Sequence, residues 1–136
     1  MINWKKKKSW KRIDGESSFQ RNKVNLSMYI SLTGLKPKNF VSFFRFWRYA
    51  VPSFRQAQTA KGNLSLSAKR IKGYQCTVTS WESREVMLEF MRSGAHFEAM
   101  KQFHKIATGR TYGYESEKVP TTEEAFRLLM EKGKDY

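Results

Sequence analysis

Cysteine occurs once in this 136-residue chain, at Cys76. One thiol excludes an intrachain disulfide and suits a reducing compartment. With only His96 and His104 beside it, no zinc-type Cys/His spacing can form. Acids are scarce, 12 against 26 Lys and Arg, for a net charge of +14. No apolar run approaches the roughly 18 residues of a membrane span. The charged N-terminus lacks the apolar segment of a secretory signal. A phosphate-cradling glycine motif and a Ser-His-Asp constellation are also missing, so hydrolase and nucleotide-hydrolysing chemistry find no support. Elimination leaves a soluble, cytoplasmic protein.

Aromatic residues are plentiful, at 15% with ten Phe, six Tyr and four Trp. Such rings supply core area and also line ligand pockets and interfaces. The length suits one domain with a single sheet-and-helix core. Positive charge is densest in residues 1–25, where eight basic and two acidic residues give +6 around Trp4 and Trp10. That stretch keeps no period of 2 or 3.6 and reads as a mobile basic extension. It is a solubilising tail, or an arm for nucleic acid or an anionic membrane. The folded domain is then 26–136.

Met28, Ile30 and Leu32 alternate with Tyr29, Ser31 and Thr33, which predicts a half-buried strand. Asn39 is a reasonable N-cap for a helix from Phe40 to about Ala60. Phe40, Phe43, Phe44, Trp47, Val51 and Phe54 form its apolar stripe, and Pro52 predicts a kink or break near Tyr49–Val51. Residues 63–68 and 74–81 predict a hairpin turned at Lys72-Gly73, with Gln75, Thr77, Thr79 and Trp81 on one face and Tyr74, Cys76 and Val78 on the other. Cys76 thus falls among apolar neighbours as an inert thiol. Ser83 caps a second long helical region, Ser93-Gly94 interrupts it, Ser93 recaps it, and Thr108-Gly109 closes it. Residues 110–116 predict a fourth strand. Thr121 to Glu124 has the capping-box form before a short helix through Phe126, Leu129 and Met130, ended by Gly133.

Strand, helix, hairpin, helix, strand and a C-terminal helix make an α+β chain of ferredoxin-like β-α-β-β-α-β topology. Both long helices on one face would leave the other sheet face open, and that face would be polar or paired with a second copy.

The run Thr79-Ser80-Trp81-Glu82-Ser83-Arg84-Glu85, followed by Phe90-Met91-Arg92-Ser93-Gly94-Ala95-His96, resembles the dimeric α+β barrel superfamily. That group includes the antibiotic-biosynthesis and haem-degrading monooxygenases. The chain is most similar there to small spheroidene monooxygenase-like proteins. The resemblance implies a homodimer with stacked sheets and, in each subunit, a cavity between helices and sheet. Some members oxidise polycyclic aromatic substrates without a cofactor, some bind haem, and some have no known activity. Where haem degraders carry their axial histidine, this chain has Met100. His96 lies one turn earlier and matches a histidine of the spheroidene monooxygenase-like branch.

His96 is accordingly either a haem iron ligand or a general base near neutral pH. Otherwise it hydrogen-bonds a neighbouring strand or caps the break. Trp81 walls the cavity, or is a core or dimer-interface ring. Thr77, Thr79, Trp47, Met100, Phe103 and Tyr112 are the further candidate ligand contacts, and packing explains each equally well. Three functions fit: a monooxygenase-like enzyme taking an apolar aromatic or polyene ligand with haem or without a cofactor; a non-catalytic dimeric ligand binder; and anionic-surface association through residues 1–25.

Overall fold

The structure, a computed structural model, describes residues 27–135, and the basic extension read over residues 1–25 lies outside them. Strand β1 (Met28–Pro37) leads into helix α1 (Phe40–Thr59), then the hairpin β2 (Asn63–Ile71) and β3 (Tyr74–Trp81). Helices α2 (Arg84–Met91) and α3 (Gly94–Ile106), strand β4 (Ala107–Ser116), helix α4 (Thr122–Lys132) and the short β5 (Lys134–Asp135) complete the chain. The sheet order is β2-β3-β1-β4-β5 and every pairing is antiparallel. This is the ferredoxin-like arrangement, with one added edge strand and one added helix. No helix among the described residues is long and apolar enough to cross a membrane.

The predicted strand faces appear in the register. Tyr29, Ser31, Thr33 and Leu35 lie opposite Trp81, Thr79, Thr77 and Gln75, while Ile30 and Leu32 lie opposite Ser80 and Val78. The hairpin turns where Lys72 and Gly73 both take positive φ, 49° and 85°, the pair of left-handed residues that matches the twist of a two-residue turn. Strand β4 begins earlier than the sequence suggests, because the chain passes directly from Ile106 into extended Ala107. Thr108 and Gly109 therefore belong to the strand rather than to a helix end. Gly109 permits this: a Cβ there would stand 2.7 Å from the Gly34 carbonyl oxygen.

Helix α1 departs from its expected form in two ways. It runs unbroken through Pro52. Proline removes one amide donor, but Pro52 and Arg48, whose carbonyl loses its partner, both face solvent, where water replaces the bond. The buried face is also not the large-ring stripe. It consists of Ser42, Phe46, Ala50, Ser53 and Ala57, whereas Phe40, Phe44 and Val51 are 76%, 60% and 40% exposed. Helix α3 lies alongside, and Phe46 and Ala50 join Ala99, Phe103, Ile106 and Leu35 in one core cluster. Close helix packing selects small residues at the contact, which turns the larger rings outward.

The second sheet face is not open. Helix α4 lies across it, and Ala125 and Leu129 pack with Ile30, Leu32, Cys76 and Val78, all fully buried. The helix starts in the expected capping box between Thr121 and Glu124. At its other end the Arg110 guanidinium donates to the Leu129 and Gly133 carbonyls, at 2.8 and 2.7 Å. The need for a second copy to cover these central residues thus disappears, because a segment of the same chain does so. Cys76 sits beneath this helix, its thiol directed at the Thr122 carbonyl 3.8 Å away. Burial, with a smaller contribution from the Glu123 carboxylate, pushes its pKa up to about 11.

Candidate functional site

The opposite sheet face carries hydroxyls and an amide rather than the alkyl groups of a core. Ser31 and Thr33 of β1, Gln75, Thr77 and Thr79 of β3, and Thr111 of β4 form the floor of a cavity of about 340 Å³. Its roof is apolar: Phe46, Ala50, Phe54 and Ala57 from α1, Met87, Phe90 and Met91 from α2, and Met100 and Phe103 from α3. The sequence causes this directly. Alternation places Ser31, Thr33, Gln75, Thr77 and Thr79 on one face of β1 and β3, with Tyr29, Leu35 and Trp81 beside them, and side chains of three helices cover that face.

Trp81 closes one end and is fully buried. Its indole N–H donates to Thr79 Oγ1 at 2.9 Å, and the Thr79 hydroxyl donates to the Ser31 carbonyl at 3.3 Å. The indole stacks on Phe90, with ring centroids 5.0 Å apart, and Phe90 meets the His96 imidazole at 4.4 Å. A row of three rings therefore links the end of β3 to the start of α3.

His96 is half-buried and borders the cavity. Its Nδ1 lies 3.4 Å from the Met91 carbonyl oxygen. A carbonyl only accepts, so Nδ1 carries the proton and Nε2 keeps its lone pair. Burial holds the imidazole below its ordinary value of 6.5, opposed by the bond to Met91. A neutral imidazole with a free Nε2 can accept a proton or bind a metal.

Gln56 of α1 fixes this geometry, and the sequence carries no local signal for it. Its Oε1 accepts the His96 backbone N–H at 2.7 Å, and its Nε2 donates to the Ser93 carbonyl at 2.9 Å. The Ser93 side chain does not cap α3 as the sequence predicts; its hydroxyl donates back to the Glu89 and Phe90 carbonyls. The cap on α3 thus comes from a side chain 40 residues away in sequence. Gly94 leaves room for it: its φ is +57°, and a Cβ there would crowd the Gln56 amide at 3.1–3.2 Å. Gln56→Ala is expected to cost about 1 kcal/mol, as for loss of an N-cap, read by urea unfolding.

Stability should also depend on pH through His96. Its folded-state pKa lies below the unfolded value, so the unfolded chain binds more protons between the two. The contribution is present above 6.5 and is lost as pH falls from there through the folded pKa. His96→Gln should flatten that part of the urea midpoint-against-pH curve.

Of the eight residues predicted from sequence, the cavity brings together the side chains of six, His96, Trp81, Thr77, Thr79, Met100 and Phe103; Tyr112 borders it but turns its ring to the other face, which corrects its expected role as a ligand contact. Tyr112 lies opposite Leu32, and its ring stacks on Tyr114 on the α4 side of the sheet. Trp47 does not border the cavity; it packs edge-on against Phe46 and Phe54. Sequence reading missed Tyr29, whose hydroxyl fills the place where a side chain on Gly113 would stand. It also missed Arg84, the one formally charged residue among those lining the cavity.

Haem fits this lining poorly. The His96 donor suits iron, with Nδ1–H held by a carbonyl as in metal-bound histidines. A porphyrin, however, brings two propionates to a wall holding one cation, and Phe90 already covers one flank of the imidazole. No group of three or more His, Cys, Asp or Glu side chains suited to a metal ion occurs among the described residues.

The fold and cavity together define a ferredoxin-like α+β protein with a ligand-sized hollow between helices and sheet. Among solved structures the same fold recurs in several proteins of low sequence identity. The chain is similar to a Bacteroides thetaiotaomicron protein of unknown function described as a possible oxidoreductase (TM-score 0.59, 11% identity, covering 66% of this chain and 98% of that one). It is similar to a Nitrosomonas europaea protein provisionally named an antibiotic biosynthesis monooxygenase (0.56, 10%, 65% and 96%). It is also similar to SnoaB, a cofactor-independent oxygenase from Streptomyces nogalater (0.50, 9%, 65% and 91%). At these identities the likeness concerns the fold. No family profile matches the chain, and no curated protein matches it significantly.

Proposed function

We propose that this protein is a monooxygenase-like enzyme that encloses a flat, largely apolar aromatic or polyene ligand and uses dioxygen without haem. The observation that carries this reading is a histidine, its Nδ1 facing the Met91 carbonyl, set in the wall of a cavity with a hydroxyl floor and an apolar roof. Hydroxyls of the floor suit the oxygens at a ligand's edge, and rings and thioethers of the roof suit its faces. SnoaB, of the same fold, is a cofactor-independent oxygenase.

For a substrate with an acidified methylene, the net change consumes one dioxygen, converts the methylene to a carbonyl and releases one water. His96 Nε2 accepts a proton from the methylene carbon. The resulting anion is oxidised by dioxygen, which is reduced, and a C–O bond forms; the peroxide then loses the second proton of the former methylene as its O–O bond breaks, leaving the carbonyl, and that proton joins the departing oxygen. The histidine returns its proton to the departing oxygen. The test is oxygen uptake with an anthrone, followed by chromatography of the quinone product. Uptake equal to product supports the reading. Saturable quenching of tryptophan fluorescence without uptake would favour a non-catalytic ligand binder instead. Neither turnover nor saturable binding would end both readings.

A homodimer is part of this proposal, since the superfamily resemblance implies paired sheets. Because α4 covers the centre of that face, pairing would form around α4 or exchange it. Mass measured against concentration in solution distinguishes a pair from a single chain.

A further inference from the structure

Charge in this chain is segregated along the sequence. No Asp or Glu occurs between residues 17 and 81, and all ten acids of residues 27–135 lie at Glu82 or beyond. Residues 27–81, which form β1, α1, β2 and β3, hold nine Lys and Arg and no acid. Among the described residues, one of those nine forms an ion pair, Lys69 with Glu123. The fold gathers part of this charge on one side, since α1 lies beside edge strand β2 and the Arg70 guanidinium sits 5.8 Å from the Phe43 ring.

On that side α1 also turns apolar groups outward. Phe40, Phe44 and Val51 fall within roughly 40° of helical arc, and Arg55 and Arg48 fall within about the next 40°. Phe40 and Phe44 are 76% and 60% exposed, and Arg45, Arg48 and Arg55 are exposed as well. Large apolar groups kept in water beside unpaired cations mark an interaction surface. A second copy does not suit it, because like faces brought together would oppose arginine to arginine. Single-stranded nucleic acid needs flat rings open for stacking. Here Phe44 meets both Phe40 and Phe43 edge to face, at 89° and 88°, so the exposed rings stand perpendicular to one another rather than forming a parallel stacking platform. An occupant that is apolar within and anionic at its surface matches both halves of the face.

We propose that the outward face of α1 docks on anionic lipid bilayers. Phe40, Phe44 and Val51 enter the boundary between headgroups and acyl chains, and Arg45, Arg48 and Arg55 meet the phosphates. A 20-residue helix lying in the interface plane is the known geometry for such binding.

The test uses the full chain and co-sedimentation with vesicles of phosphatidylcholine, alone or mixed with phosphatidylglycerol. Binding should require phosphatidylglycerol. The double variant F40N/F44N keeps every charge, including those of residues 1–25, and alters only exposed positions. Its partitioning should fall at least about tenfold, given the apolar area withdrawn. R45Q/R48Q/R55Q should weaken the preference for phosphatidylglycerol, by roughly fivefold per arginine near the surface. Circular dichroism checks that both variants fold. Unchanged partitioning of F40N/F44N would overturn the proposal and assign binding to charge elsewhere in the chain. So would wild-type protein that ignores the mixed vesicles, or ring-dependent binding to oligothymidine in its place.

Discussion

Replacing Trp81 by alanine should cost about 3–5 kcal/mol of folding stability, the range for removing a fully buried large aromatic ring. Three losses coincide at this position. The indole is fully excluded from solvent. It stacks on Phe90, which in turn holds the His96 ring. Its N–H also saturates Thr79 Oγ1, which is itself buried. Surrounding groups cannot collapse to fill the gap, because the hollow already present next to Trp81 would merge with it. Domains of this size hold about 5–15 kcal/mol in total, so the variant should lie near the edge of folding at 37 °C. Urea unfolding measures the loss. Trp81→Phe separates the two contributions: it keeps a ring on Phe90 and deletes the donor, for an expected cost of roughly 1–3 kcal/mol. If alanine cost no more than phenylalanine, the indole would not be the closed end of the cavity.

His96→Ala should lower kcat for oxygenation by about 10²–10⁴, the usual worth of a positioned general base. KM should change little, because the roof that holds an apolar ligand comes from other residues. The pH profile carries the more specific signature. Burial keeps the imidazole below 6.5, so the base form already dominates at neutral pH. Activity should fall only on the acid side, below the ordinary histidine range, and His96→Ala should lose that limb. An acid limb retained in the variant would assign the proton transfer to another group.

The strand framework was legible because strands of period 2 write both of their faces into the chain. Alternation alone puts Thr77, Thr79 and Trp81 together on one side and Cys76 and Val78 on the other. The Lys72-Gly73 turn and the Thr121–Glu124 box are local chemistry and were equally readable. Helix α1 was not. A count of rings pointed to Phe40 and Phe44, but the neighbouring helix decides which face is buried, and close contact favoured Ser42, Ala50 and Ser53. Gln56 was invisible for a related reason: its partner is the end of another helix, and no spacing rule connects the two. Tyr29 could have been found, since alternation puts it on the same strand face as Ser31 and Thr33. The reach of α4 across the sheet was the largest omission. A short amphipathic helix after the last strand does not state which surface it will cover.

That helix gives the molecule a built-in reporter. Cys76 is the chain's single thiol, shielded under α4 with its pKa raised to about 11. A thiol-specific reagent cannot reach it while α4 is seated, so the rate of alkylation reports the openings, local or global, that uncover this face of the sheet. Any event at the sheet beneath, such as exchange of α4 between two chains, would register as a change in that single rate.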